Sequence, residues 1–375
     1  MQHGILYKRP GRYSLGPVPQ LLPDGRLTVG VVSSPFADHY GLADWIVLVS
    51  DDQGETFTET NDQTIPLAWP AALPREYYDR YADVQPDGSY LAAGTVGFES
   101  WPKERAAEAE ELGLTARPHP NNTGNDLLIG MPKLFVMRSH DQGKTWDRRD
   151  WLVPGFSWMT AFPRWTRLQS GNILLPVYAR DQEGGEKGQV FVWRSDPDGD
   201  NWRLIPLSSS VSSVTGDETC FIEAEPGKVL AHIRHSTPGH LTSGYLLESW
   251  SEDNGLTWSQ PLRTEVRGYP PHLLRLQDGR ILCGVTYRWE PMGIRLVLSE
   301  DNGKTWDTDN TIVMRDDAGT ASPMWPDYPN HSGGSDVGYP ITVQFDDGSL
   351  FTCYWITLED GICHAAYTKW TLDDI

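Results

Sequence analysis

Short apolar runs, each stopped by the same kind of polar turn, dominate the pattern along the chain. The runs "DWIVLVS", "KLFVMRS", "GYLLESWS" and "GIRLVLS" lead into four related phrases: "SDDQGETF" at Ser50, "SHDQGKTW" at Ser139, "SEDNGLTW" at Ser251 and "SEDNGKTW" at Ser299. Runs of this length, alternating or continuously apolar and bounded by turn residues, predict strands. Within each phrase Asp and Asn can hydrogen-bond their own backbone, Gly supplies a positive φ, and the closing aromatic packs back under the strands. A degenerate copy, "SDPDGDNW" at Ser195, carries Pro197 in the Asp position.

A second mark precedes each phrase. Gly turns at Asp24, Asp87, Ser170, Pro226, Asp278 and Asp347, as in "RLQDGRI" and "QFDDGSL", divide pairs of strand-like runs as hairpin turns do. Together the two marks define six units of strand, Gly turn, strand, longer loop, strand, phrase and strand. The last unit lacks the phrase and ends in "HAAYTKWTL". Matched sets of four strands recurring six times predict an all-β fold, a six-bladed β-propeller with four-stranded antiparallel blades, forming one domain over residues 1–375. The N-terminal "HGILYKR" is expected to close the ring by pairing into the last blade. One stretch departs from the strand pattern: "PKERAAEAEELGL" has a Pro start, strong helix formers and a stop at Gly113. It predicts a helical insertion in blade two, over about residues 98–131, that acts as a rim or lid narrowing substrate choice or as an oligomer contact.

Composition agrees with many short strands joined by tight turns: the chain has 16 Trp, 36 Gly and 28 Pro. Its net charge is -20, with no Lys/Arg run, which argues against a nucleic-acid surface and leaves any anionic substrate to local arginines. No stretch approaches the ~20 apolar residues of a membrane span, and the N-terminus lacks the apolar core of a signal peptide. As given, the chain reads as cytoplasmic unless a leader has been trimmed. Cys220, Cys283, Cys353 and Cys363 sit singly in apolar runs without CxxC or zinc-ligand spacing. They read as buried free thiols, and neither a metal nor a cofactor is indicated.

Strand parity divides the chemistry between two faces. In an up-and-down blade the first and third turns share one face, so the Gly turns and repeated phrases lie together. The second loops and the starts of the first strands crowd the opposite face, around the central channel. That face draws a polar set from every blade. Blade one gives Asp38, His39 and Asp44, blade two Asp79 and Arg80, and blade three Arg164, Arg180 and Asp181. Blade four gives Asp217, Glu218, Arg234 and His235, blade five Tyr269, His272, Arg288 and Glu290, and blade six His331, Asp336 and Tyr339. Such a concentration of titratable groups points to an active site, or else to the polar loops common at propeller mouths.

The phrase S-x-D-x-G-x-T-W resembles the Asp box, or BNR repeat, and six such blades resemble the propeller of the sialidase (neuraminidase) superfamily over essentially the whole chain. In that superfamily the box is a structural turn that also occurs in non-enzymatic propellers, so the fold alone does not grant activity. Two stretches resemble its signatures more closely. "ETCFIEAEPGKVLAHIR" implies Glu218 as an activating carboxylate and Arg234 as a clamp on a substrate carboxylate; "VGYPITVQFDDGSL" implies Tyr339 as the nucleophile. By the same resemblance Asp38 is the acid/base, or else a loop cap, and Arg288 is a further clamp. Arg80, Arg164, His272 and Asp336 are further candidates for substrate contact.

One departure bears on the substrate. Sialidases open their first blade with Phe-Arg-Ile-Pro, whereas "LGPVPQLLPDG" here places Pro17 where the arginine belongs. The clamp loses a member unless Arg12 or Arg80 swings in, and a bidentate guanidinium is hard to replace. The resemblance therefore implies an exo-glycosidase whose partner is a carbohydrate with a terminal acidic or modified sugar. Similar propellers include rhamnosidase-like hydrolases and uronate lyases that use a histidine, a role for which His39 is placed if it is more than a loop residue. A non-catalytic propeller that binds glycans or proteins is the remaining alternative.

Overall fold

Each predicted unit folds as its own antiparallel sheet, and six sheets follow one another around a ring. The computed structural model describes residues 1–35, 43–62, 64–119 except 69–77, 126–161, 164–181, 188–207, 216–235, 244–319 and 336–375, with the backbone alone for 68, 78–80 and 181. Blade one comprises Tyr13–Leu21, Leu27–Ser34, Asp44–Ser50 and Thr58–Thr60. In blade four the strands are Gly216–Glu225, Lys228–His235, Tyr245–Ser251 and Leu262–Arg267. Blade five runs Pro271–Arg275, Ile281–Tyr287, Gly293–Ser299 and Ile312–Arg315. Blade six combines Val337–Gln344, Leu350–Thr357 and Cys363–Trp370 with the N-terminal Gln2–Tyr7, which pairs from Gln2 opposite Lys369 to Tyr7 opposite Ala365. Ring closure is thus made by the chain's first strand.

The first strand of each blade is innermost, and those of blades four, five and six touch in sequence. Each blade is covered on both sides, so strands such as Leu27–Ser34 and Leu350–Thr357 are buried almost throughout. This is why their sequences are continuously apolar rather than alternating. The core is accordingly a set of layers between blades: Leu174 and Val192 of blade three meet Phe221, Val229 and Ile233 of blade four in one of them.

The repeated phrase is a self-contained hydrogen-bonded turn. Ser251 Oγ donates to Asp253 Oδ1 at 2.8 Å and accepts from the Gly255 N–H at 2.9 Å. The same carboxylate accepts the Thr257 N–H at 2.8 Å and its hydroxyl at 2.6 Å, while Trp258 Nε1 donates to the Gly255 carbonyl at 3.1 Å. Asn254 and Gly255 both take positive φ, 59° and 82°. The box glycine also has a partner outside its blade. A Cβ on Gly255 would lie 3.0 Å from Leu174 of blade three, one on Gly303 2.6 Å from Leu230 of blade four, and one on Gly54 2.8 Å from Phe351 of blade six. These three boxes thereby latch onto the blade before them.

Blade two carries the expected helical segment, Lys103–Glu111, between two long strands. Its second and third strands, Tyr90–Pro102 and Asp126–Ser139, extend together as a two-stranded ribbon as far as the Pro102–Asp126 pair. The helix is only Ala106–Glu111, and Ala109 is its one buried residue. So little apolar surface cannot sustain more turns. The ribbon rests on blade three, where Phe98 lies 5.8 Å from Trp158 and Gly130 packs on the Ser157 carbonyl too closely for any side chain. All four cysteines are free thiols, with Cys220 half-buried and the other three buried. No helix among the described residues is long and apolar enough to cross a membrane.

Candidate active site

Glu218 and Tyr339 both stand at faults in strand pairing. The innermost strand of blade four slips register between Gly216 and Thr219, and that of blade six between Gly338 and Ile341. Such irregularities re-aim side chains, here toward the channel mouth on the face away from the Asp boxes. The boxes follow the ends of third strands whereas Tyr339 lies at the start of a first strand, and antiparallel pairing puts those on opposite faces.

The Tyr339 hydroxyl donates to Glu218 Oε1 at 2.9 Å. Arg234, near the end of the strand beside Glu218, donates from Nη1 to Glu218 Oε1 and Oε2 at 3.0 and 3.1 Å and to the Tyr339 oxygen at 3.2 Å. Glu218 is 6% exposed, so Arg234 supplies the counter-charge that such a buried carboxylate requires. The Tyr269 ring supports both guanidinium groups, 4.7 Å from Arg234 and 5.6 Å from Arg288, and Arg288 also lies 5.9 Å over the Tyr339 ring. Behind Tyr339, the Trp355 ring sits at 4.5 Å with its Nε1 donating to Asp336 Oδ1 at 2.9 Å.

Burial, followed by the negative charge of Glu218, pushes the Tyr339 phenol well above its ordinary value despite the opposing pull of Arg234 and Arg288. The phenol is neutral at rest. Burial opposes the Arg234 cation, but the Glu218 charge holds it well above the ordinary arginine range, with smaller help from Tyr339 and Asp217. Burial also raises the Asp336 carboxyl to about 6. The Nε groups of Arg234 and Arg288 are buried donors with no acceptor among the described residues.

The other sequence candidates fall in several places. Asp38 and His39 lie outside the described residues, as do His331 and the side chains of Asp79, Arg80 and Asp181. Arg164, in the link between the strands Phe156–Ala161 and Thr166–Arg167, lies 5.8 Å from the Tyr81 ring, and its charge reaches His272. His272 is 4% exposed and accepts the Thr342 N–H at 3.3 Å. Burial, then the Arg164 charge, depresses it well below its ordinary value; it is a neutral ring tying blade five to blade six. Asp336 faces Trp355 and positions it against Tyr339. Arg180 pairs with buried Asp217 at 2.6 Å, next to Glu218. Arg12 donates to Ser33 and, at 2.6 Å, to Asp44, so it does not replace the arginine missing at Pro17. Trp355 was hidden in the continuous apolar run of its strand, with no local signal to single it out. Among the described residues no cluster of His, Cys, Asp or Glu is arranged to hold a metal ion.

Residues 111–352 match the model of the BNR repeat-like domain. The chain belongs to that family. Solved structures similar to this BNR repeat-like protein include a Dyadobacter fermentans protein of unknown function, with 22% identity, a TM-score of 0.74, and 98% of this chain covering 97% of that one. The intramolecular trans-sialidase from Ruminococcus gnavus, in complex with oseltamivir carboxylate, is 15% identical with a TM-score of 0.61, over 96% and 95% of the two chains. The Penicillium chrysogenum α-L-arabinanase, complexed with arabinobiose, is 13% identical with a TM-score of 0.61, over 100% and 99%. At these identities the likeness establishes the fold. No curated protein matches the sequence.

Proposed function

We propose that the protein is a glycoside hydrolase of the sialidase type, acting on a terminal sugar that carries an anionic group. The observation that carries this reading is the three-way contact among Tyr339, Glu218 and Arg234. A carboxylate nucleophile would be repelled by a negative charge beside the anomeric carbon, whereas a neutral phenol is not. In the proposed reaction Glu218 takes the phenolic proton as the Tyr339 oxygen bonds to the anomeric carbon. The departing oxygen receives a proton from an acid, the role proposed for Asp38. Water then attacks the same carbon and releases Tyr339, so two inversions retain the configuration. Arg234 touches both oxygens of the base and the phenol oxygen, and so stabilises the phenolate as it develops.

The guanidinium groups of Arg234 and Arg288, both stacked on the Tyr269 ring, suit the anionic substituent. With Pro17 in blade one and Arg12 committed to Asp44, this clamp has two described arginines, and simple sialosides should be poor substrates. The likeness to a trans-sialidase and an arabinanase supports a glycosidase, without choosing the sugar. The test is product analysis over sialosides, uronosides and rhamnosides. Release of a sugar with retained configuration, absent in Tyr339→Phe, supports the proposal. An unsaturated uronate absorbing in the ultraviolet, or full activity in Tyr339→Phe, overturns it.

A further inference from the structure

The degenerate turn of blade three and the outer strand of blade two enclose a cavity of about 800 Å³ that the proposed chemistry does not use. It lies on the Asp-box face, in the wedge between these blades. Asp147, Arg149 and Trp151 alternate along the outer strand Asp147–Leu152 and so line it from one side. The opposite wall is the turn in which Pro197 replaces the box aspartate.

That replacement changes what the turn presents. In a regular box the carboxylate is consumed by the Ser and Thr of its own turn, as Asp253 is. Here Ser195 Oγ donates instead to the Asp196 carbonyl at 2.7 Å, and Asn201 Nδ2 to Asp196 Oδ2 at 2.7 Å. Asp198 and Asp200 remain at the surface, lining the cavity. Arg138 fixes the floor by donating to Ser89 Oγ at 3.0 Å and to the Asp198 carbonyl.

The lining holds three arginines against four aspartates, a near balance that disfavours a polyanion. Donors and acceptors interleave, which suits hydroxyl groups, since each hydroxyl both donates and accepts. Trp151 is 40% exposed yet braced: Trp193 meets it edge-on at 5.7 Å and is packed 4.6 Å from Trp202. An exposed, immobile indole offers the C–H face of a sugar ring an apolar surface at little entropic cost. We propose that this wedge is a second, non-catalytic carbohydrate site that takes a neutral oligosaccharide of about two or three units, a size suited to such a cavity.

The experiment is saturation-transfer NMR on the full chain, with maltotriose, xylotriose, arabinotriose and lactose as probes and a sulfated heparin disaccharide as the charged control. At least one neutral probe should receive saturation, equally in wild type and Tyr339→Phe. Trp151→Ala should weaken its binding at least about tenfold. Arg149→Ala, at a side chain 72% exposed, should weaken it too and keeps the test readable if Trp151→Ala does not fold. The proposal fails if no neutral probe binds, if only the sulfated disaccharide does, or if binding survives in both wedge variants and is lost in Tyr339→Phe.

Discussion

The Tyr339 hydroxyl and the Glu218 carboxylate, 121 residues apart in sequence, meet at 2.9 Å across the channel mouth. They come from blades four and six, so blade five must be correctly seated for the pair to exist. The contact therefore reads out the geometry of half the ring.

Glu218→Gln keeps the side chain's shape but removes the proton acceptor. Turnover should fall ~100 to 10,000-fold, about 3 to 5 kcal/mol of transition-state stabilisation. The same change leaves Arg234 buried without its counter-charge, so the melting temperature should drop as well. Steady-state kinetics with a thermal melt checks both, and a variant with unaltered turnover would remove Glu218 from the base role.

Tyr339→Phe deletes the oxygen proposed to attack the sugar. Wild-type protein treated with a slowly hydrolysed fluoroglycoside of the correct sugar should gain one sugar residue by intact-mass spectrometry. The Phe variant should gain none. A mass gain that persists in the variant would place the nucleophile elsewhere.

The buried Asp336 makes stability depend on pH in a defined direction. Its folded value is raised to about 6, against an ordinary 3.8, so the fold favours the protonated form. The stability it contributes is complete below the unfolded value and is lost as pH climbs through about 6, an effect on the order of 3 kcal/mol. Asp336→Asn, which mimics the neutral acid, should gain on wild type in melting temperature between about pH 4 and pH 7. A difference that stays flat over this range would refute the assignment.

Two glycines separate backbone strain from blade-to-blade packing. Gly279 and Gly303 have φ of 92° and 86°, but a Cβ meets nothing within 4 Å at Gly279 and lies 2.6 Å from Leu230 at Gly303. Alanine at either position costs about 1 to 3 kcal/mol in strain. Only Gly303→Ala adds overpacking of a similar size, so it should melt clearly lower than Gly279→Ala. Equal melting temperatures would show that the box glycine is not a latch.

The blades were legible because their turns are local. Asp253, Gly255 and Thr257 all bond within the turn that Ser251 begins, so the motif states its own conformation. The Glu218 and Tyr339 positions were legible through resemblance and strand parity. What escaped depends on partners distant in sequence. His272 looks like a mouth residue until Thr342 is found to occupy its ring nitrogen. Trp355 looks like any core residue until Asp336 and Tyr339 flank it. The helix of the insertion was legible because propensity is summed locally, whereas the ribbon from Tyr90–Pro102 to Asp126–Ser139 that carries it is held by cross-strand pairing.

The pairing of Gln2–Tyr7 with Cys363–Trp370 carries a temporal consequence. Gln2–Tyr7 is synthesised long before Cys363–Trp370 and must wait for it, while the blades between them can assemble in order. Until then the sixth blade has an open edge and the ring is an arc. The meeting of Tyr339, in that blade, with Glu218 is thereby tied to the joining of Gln2–Tyr7 with Cys363–Trp370.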